Sequence, residues 1–247
     1  MLHFFRKIRH DLIVNSQTYK YLKYAIGEIV LVVLGILIAL QINRWDEKRI
    51  DREIEYKLLL EVKANLESAT SVLDISSSFD ERCIRSSLII INSLSEDAPY
   101  NDSLKMHFAI LPNLVFGGLT SSGFQTLKMK GLDLIKNDSI RINLSNLYEN
   151  KIPQLIRTLE LDVYKRRDEL FNSELYNHFM LQHSIFGESA FGRVPNDYEG
   201  LKNDKRFESI LRSYTLNKVY FNSEKMKIKN DIINLINDIK IEIESRS

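Results

Sequence analysis

Hydrophobic positions follow two regimes along this chain. From Ala25 to Leu40 they run almost unbroken, with Glu28 the single charged residue and no proline. After Trp45 they recur every three or four residues among charged positions, beginning Ile50, Ile54, Leu58, Val62, Leu66, Ala69 and Leu73. The first regime predicts a helix with no water-facing side. A helix from Tyr24 to Ile42 spans ~28 Å, about the hydrocarbon thickness of a bilayer. The second regime predicts amphipathic helices around a water-facing core. The expected fold is all-α: one N-terminal transmembrane helix followed by an elongated helical bundle. The expected divisions are a basic amphipathic segment at 1–23, the membrane helix at 24–45 and a helical-bundle domain at 46–247.

Leu2, Phe5, Ile8 and Leu12 form one stripe, with Arg6, Lys7, Arg9 and His10 mostly on the other faces. That pattern predicts a short helix lying on the membrane surface. Tyr19, Tyr21 and Tyr24 with Lys20 and Lys23 make an aromatic and cationic belt. Beyond the span, a helix is expected over 46–73, broken by Ser76-Ser77-Ser78, and a second over 79–94 with Phe79, Cys83, Ile84, Leu88 and Ile91 inward. A helix at 104–111 ends at Pro112, and one at 124–130 is capped by Ser121-Ser122 and ended by Gly131 in a left-handed cap. Asn137 or Asp138 opens a helix over 139–150, which Pro153 bends or restarts. A long helix with Leu155, Leu159, Val163, Leu170 and Leu175 inward continues to His183, and 184–200 forms the longest irregular loop. Asp204 starts the last stretch, where Phe221, Ile228, Ile232, Leu235, Ile239 and Ile243 make a stripe long enough to pair along the first helix.

Charge adds topology to this picture. Residues 1–45 hold six basic and two acidic side chains, and the rest of the chain holds 28 basic and 31 acidic. The near-neutral whole excludes the clustered basic face of a dedicated nucleic-acid binder. The basic end suits anionic lipid head groups. No small-x-small cleavage site follows the apolar run, so an uncleaved anchor is expected rather than a signal peptide. Lys and Arg near the span tie in number on its two sides. The short basic end places the N-terminus in the cytoplasm and the C-terminal domain in the periplasm of a bacterial inner membrane. Cys83 is the sole cysteine, so no intrachain disulfide forms, and its place in an apolar stripe marks it as a small buried hydrophobe.

Within the span, Gly27, Leu31, Gly35 and Ala39 recur at intervals of four, and Gly35 with Ala39 is a small-xxx-small pair that lets two helices approach closely. Glu28 shares that face. It either snorkels to the interface or is covered by a helix–helix contact in a complex.

The stretch YAIGEIVLVVLGILIALQINRW, followed by a charged helix and by FQTLKMKGLDLIKNDSIRINLSNLYE at 124–149, resembles a family of uncharacterised single-span membrane proteins widespread in Bacteroidota. The matching positions in the second stretch are Phe124, Leu127, Gly131, Leu134, Ile135, Asn137, Arg141 and Tyr148, and NDKRFESIL at 203–211 is also similar. Met129 and Lys130 depart from the small polar residues that the family more often has there. The resemblance implies an inner-membrane anchor and a helical outer domain, and it assigns no activity.

Signatures of catalysis are missing. His178 and His183 are five apart, which does not put two ligands on one helical face. The GESAFG stretch at 187–192 misses the nucleophile-elbow spacing, and Gly117-Gly118 lacks the Lys of a phosphate loop. Carboxylates read as spread over exposed faces, with none isolated in an apolar pocket. The expectation is a non-enzymatic, cofactor-free interaction module whose partners are the lipid bilayer and a second copy or other membrane proteins. A small-molecule-sensing bundle, using Phe186, Phe191 and Arg193, and an accessory subunit of an ion-coupled or secretion complex are the alternatives.

Overall fold

In the computed structural model, residues 18–160, 172–182 and 192–245 are described. The fold is all-α with one small β-ribbon. The surface helix expected over 2–13 lies outside the described residues. The chain divides into two units, 1–55 and 56–247.

The first unit is built on the leading part of α1 (Thr18–Ser95). Among the described residues, the large hydrophobic side chains of its apolar stretch are left exposed. Fourteen large hydrophobic side chains from Leu22 to Ile42 are 47–65 % exposed. Among the described residues, α1 is the one helix long and apolar enough to cross a membrane. At the end of this stretch, Asn43 donates to Glu47 (2.8 Å) and Arg49 pairs with Asp46 (3.0 Å), local bridges of a solvated helix face.

The second unit is organised by the later part of α1 and by α8 (Lys205–Glu244). α1 buries Leu58, Leu59, Val62, Leu66, Ala69 and Leu73, while Ile50 is exposed and Ile54 only half-buried. The expected inward stripe therefore starts one to two turns later than the periodicity suggests. α8 buries Phe207, Leu211, Tyr214, Phe221, Ile228, Ile232, Leu235 and Ile239 at alternating spacings of three, four and seven. Each such burial contributes about 1.5–3 kcal/mol of transfer free energy. Cross-helix pairs run Asp74 with Lys229, Ser77 with Asn222 and Asp80 with Lys218. The α8 number falls as the α1 number rises, so the two helices are antiparallel. The expected pairing of last helix with first is what the structure has.

Several expected boundaries move. The serine run at 76–78 does not break α1. Ser76 and Ser77 are buried, where Ser76 accepts from Lys225 Nζ (2.7 Å) and Ser77 donates to Asn222 Oδ1 (2.7 Å). Hydroxyls so engaged do not compete for the helix backbone. Leu88 faces solvent, not the core.

After α1 come α2 (Leu104–Ile110) and α3 (Ser122–Lys130). α3 starts on α1 itself: Asn65 Oδ1 accepts from Ser122 Oγ (3.1 Å) and Gly123 N–H (2.9 Å). A Cβ on Gly123 would meet the Val62 backbone nitrogen at 2.9 Å, so only glycine permits this approach. Ser121 makes no side-chain cap, contrary to expectation. Gly131 ends α3 at φ +109° and ψ +124°, outside the left-handed helical well but in a region reserved for glycine. Its N–H donates to Leu127 O (3.0 Å).

Asn137 caps α4 (Asp138–Asn146), accepting from Ser139 and Ile140 N–H, and Arg141 reaches back to Ile135 O (3.2 Å). A π-turn at Leu147–Lys151 then joins α4 to α5 (Ile152–Thr158). Ile152 N–H donates to Leu147 O, one residue wider than an α-helical bond, and Pro153 sits in the first turn of α5, where its missing N–H costs little.

The helix expected to reach His183 ends earlier. α6 (Asn172–His178) leads into β1 (Phe179–Gln182), which pairs antiparallel with β2 (Gly192–Pro195), Phe179 opposite Pro195 and Leu181 opposite Arg193. The physical reason is aromatic anchoring. Phe179 packs on Phe108 (centroids 4.5 Å) and Phe207 (5.7 Å), inside a cluster that includes Ile90, Leu104, Leu201 and Leu211. α7 (Tyr198–Asn203) follows, and Asp204 caps α8 by accepting from Arg206 and Phe207 N–H. The expected loop at 184–200 is thus partly strand and helix.

Candidate functional site

Gly27, Glu28, Leu31, Gly35 and Ala39 all lie on the apolar part of α1. A Cβ added at Gly27 or Gly35 would meet nothing within 4 Å, so that face is open, and Glu28 is half-buried. Arg193 lies on β2. Its Nε is buried with no hydrogen-bond partner, its guanidinium sits 5.9 Å from the Tyr176 ring, and burial lowers its pKa. Phe186 and Phe191 lie outside the described residues, so the expected trio is not brought together among them. His178 Nε2 approaches Asp204 (3.1 Å) and Glu174 (3.5 Å), not a metal set, and His183 lies outside the described residues. No group of metal-ligating side chains occurs among the described residues.

The least expected cluster lies between α1 and α8. Asp80 is fully buried, as is Lys225, and Lys218 is 2 % exposed. Lys218 Nζ donates to Asp80 Oδ1 at 2.8 Å, and Lys225 Nζ donates to Asp80 Oδ2 at 2.6 Å. Lys225 also sits over the Phe221 ring (5.1 Å) and Lys218 over Tyr214 (5.8 Å). Tyr214 O–H donates to the Leu111 carbonyl, and Cys83 Sγ lies 3.7 Å from Ile110 O. Burial lowers the Lys225 pKa against the pull of Asp80. Burial raises the Cys83 thiol, which Lys218 opposes.

Two lysines on one carboxylate leave a net positive charge in the core when all three are ionised. Burying charge costs several kcal/mol per ion, and the hydrogen bonds offset that only when every partner is in place. Such a cluster fixes which turns of α1 and α8 meet, because a slip by one turn leaves each charge unpaired. The Lys225 amine is fully buried, and its hydrogen bonds to Ser76 and Asp80 tie α8 to α1.

This cluster was readable in part. Tyr214, Lys218, Phe221, Lys225 and Ile228 alternate steps of four and three, so both lysines sit in the apolar stripe of α8. Asp80 likewise follows Leu73 and Ser76 on the buried face of α1. The expectation that carboxylates lie spread over exposed faces is overturned at Asp80, and also at Glu55 and Glu174, which are buried.

Grooves open on the second unit, and two are lined by described residues. One, of about 270 Å³, has mostly paired charges at its rim, Lys151 with Asp231 (2.6 Å) and Lys227 with Glu224 (2.7 Å). The other, of about 460 Å³, lies between α1 and α2. No family model, curated protein or solved structure matches this chain.

Proposed function

We propose that this chain is a non-enzymatic, membrane-anchored helical interaction module that self-associates through its membrane helix. The observation that carries the reading is the sleeve of fourteen exposed large hydrophobics from Leu22 to Ile42. Soluble monomers rarely expose apolar patches beyond a few hundred Å², and this surface surrounds the helix on every side. Tyr19, Tyr24, Lys23 and Trp45 stand at its ends as interfacial anchors do. The resemblance of 24–45 and 124–149 to single-span proteins of Bacteroidota points the same way. Self-association rests on the small residues Gly27, Gly35 and Ala39, where a Cβ added at either glycine would meet nothing within 4 Å. The proposed setting is a bacterial inner membrane, N-terminus in the cytoplasm and C-terminal domain in the periplasm.

The test is a membrane two-hybrid assay on the full chain, with Gly35→Leu as the disrupting variant. The reading expects the signal to fall at least tenfold while membrane content is unchanged. An equal signal from the variant would remove the proposed interface. Orientation is read by labelling a cysteine placed at exposed Ser223, in a Cys83→Ser background, with an impermeant maleimide on spheroplasts. Labelling without lysis is the expected result.

A further inference from the structure

The groove between α1 and α2 combines an apolar floor, two arginines and a hydrogen bond that ties its walls. Arg82, Arg85, Ser86 and Ile89 stand on one face of α1, at helical spacings of three, four and seven. Met106 and His107 of α2 form the facing wall, and a hydrogen bond of 3.0 Å between Ser86 Oγ and His107 Nδ1 ties the walls together. Ile89 and Met106 are both exposed, so the apolar floor has no cover of its own. Its volume, about 460 Å³, lies in the range of small-molecule sites.

The charges are one-sided. Among the described residues, no aspartate or glutamate lines the groove. Arg85 has one loose partner, Glu81 at 3.9 Å, with both side chains more than half exposed. Such surface pairs contribute little. Arg82 lies over the ring of its neighbour Phe79 (5.2 Å) and makes no ion pair among the described residues. Its forked donors are free for a planar anion.

We infer that this groove binds a soluble amphiphile with a single carboxylate head, held by Arg82 and Arg85, and one medium-length aliphatic chain, laid along Ile89 and Met106. A carboxylate suits guanidinium geometry, two parallel N–H···O bonds in a fork. The distance from Arg82 to Ile89 along the helix is ~10 Å, which accommodates one medium chain and not the paired long chains of a phospholipid. The apolar wall selects against small inorganic anions, and the arginines select against neutral or cationic amphiphiles.

The probe is octanoate carrying a photoreactive diazirine on its chain, applied to the full-length protein in zwitterionic nanodiscs and mapped by mass spectrometry. The expected label falls on the peptides that contain Ile89 and Met106. Excess octanoate removes it, while octanol and octyltrimethylammonium do not. Arg82→Glu with Arg85→Glu lowers it at least tenfold with an unchanged melting curve, because both side chains are exposed; Arg82→Lys with Arg85→Lys retains part of it. Undiminished labelling of the Glu double variant, equal competition by octanol, or label confined to the apolar part of α1 would overturn the inference. So would displacement of the probe by an acidic peptide at lower concentration than by octanoate, which would make the groove a protein-docking surface.

Discussion

One helix carries two opposite arrangements of polarity. Over 22–42, α1 is apolar on every face and buries almost nothing. Over 73–94, the same helix hides Ser76, Ser77 and Asp80 while leaving Leu88 and Ile89 outside. The first stretch has no preferred side because its proposed solvent is uniform. The second has a strongly specified side, because Ser76, Ser77 and Asp80 find their partners on α8. Burial of hydrophobic groups explains neither stretch alone. What distinguishes them is where the chain's polar groups find hydrogen bonds: in the helix backbone alone for the first, and in a defined neighbour for the second.

The largest effect is expected where the first stretch is given the polarity of the second. Replacing Val33 and Leu37 with arginine places two charges at mid-span, each unfavourable for insertion by about 3 kcal/mol. The double variant should leave the membrane pellet for the soluble or aggregated fraction on fractionation. Normal membrane recovery would break the comparison from its lipid side.

The next effect comes from stripping one partner from the buried cluster. Asp80→Ala strands two lysines and should lower stability by about 3–5 kcal/mol, read by chemical denaturation followed by helicity. Removing all three charges together, as Asp80→Leu, Lys218→Met and Lys225→Met, should be neutral or stabilising by about 1–4 kcal/mol. The sharpening result is a triple variant that is stable yet loses single-register pairing, seen as two distances between spin labels on α1 and α8. Equal destabilisation by the single and triple changes would mean that the cluster holds the fold by its own energy.

The smallest effect separates a satisfied buried polar group from an unsatisfied one. The Tyr148 hydroxyl is buried without a hydrogen-bond partner, stacked on Phe124 (4.7 Å between centroids). Tyr148→Phe should be neutral or stabilising by about 1 kcal/mol at neutral pH. Burial pushes the phenol pKa from 10.0 up to about 12. A phenol raised in the folded state contributes stability that is full below its unfolded pKa and is lost as pH rises through the folded one. Between pH 10 and 12 the wild type should therefore lose stability relative to Tyr148→Phe. Parallel pH profiles would show that the ring is solvated.

Residues 25–40 were legible because an apolar run with one carboxylate has no water-soluble reading as an exposed helix. The antiparallel pairing of α1 and α8 was legible because both stripes are long and regular. The register was not, since it is set by Asp80 meeting lysines 138 and 145 positions later. Ser76 and Ser77 read as a break for the same reason: their partners are 149 and 145 positions away. The ribbon at 179–182 was hidden because FMLQ has no alternation, and Phe179 is held by side chains from α2 and α8. The groove between α1 and α2 carries charges that look like an ordinary solvated face until α2 is laid beside them.

A cysteine scan of α1 in a Cys83→Ala background, read by spin-label accessibility to oxygen and to a water-soluble nickel chelate in nanodiscs, addresses both stretches at once. Labels at 26–42 should be reached by oxygen or by a second helix and nowhere by nickel. From Leu58 onward, nickel accessibility should rise and fall every three to four residues. Nickel access on any face within 26–42, or the same burial period running through both stretches, would contradict a single helix working in two solvents.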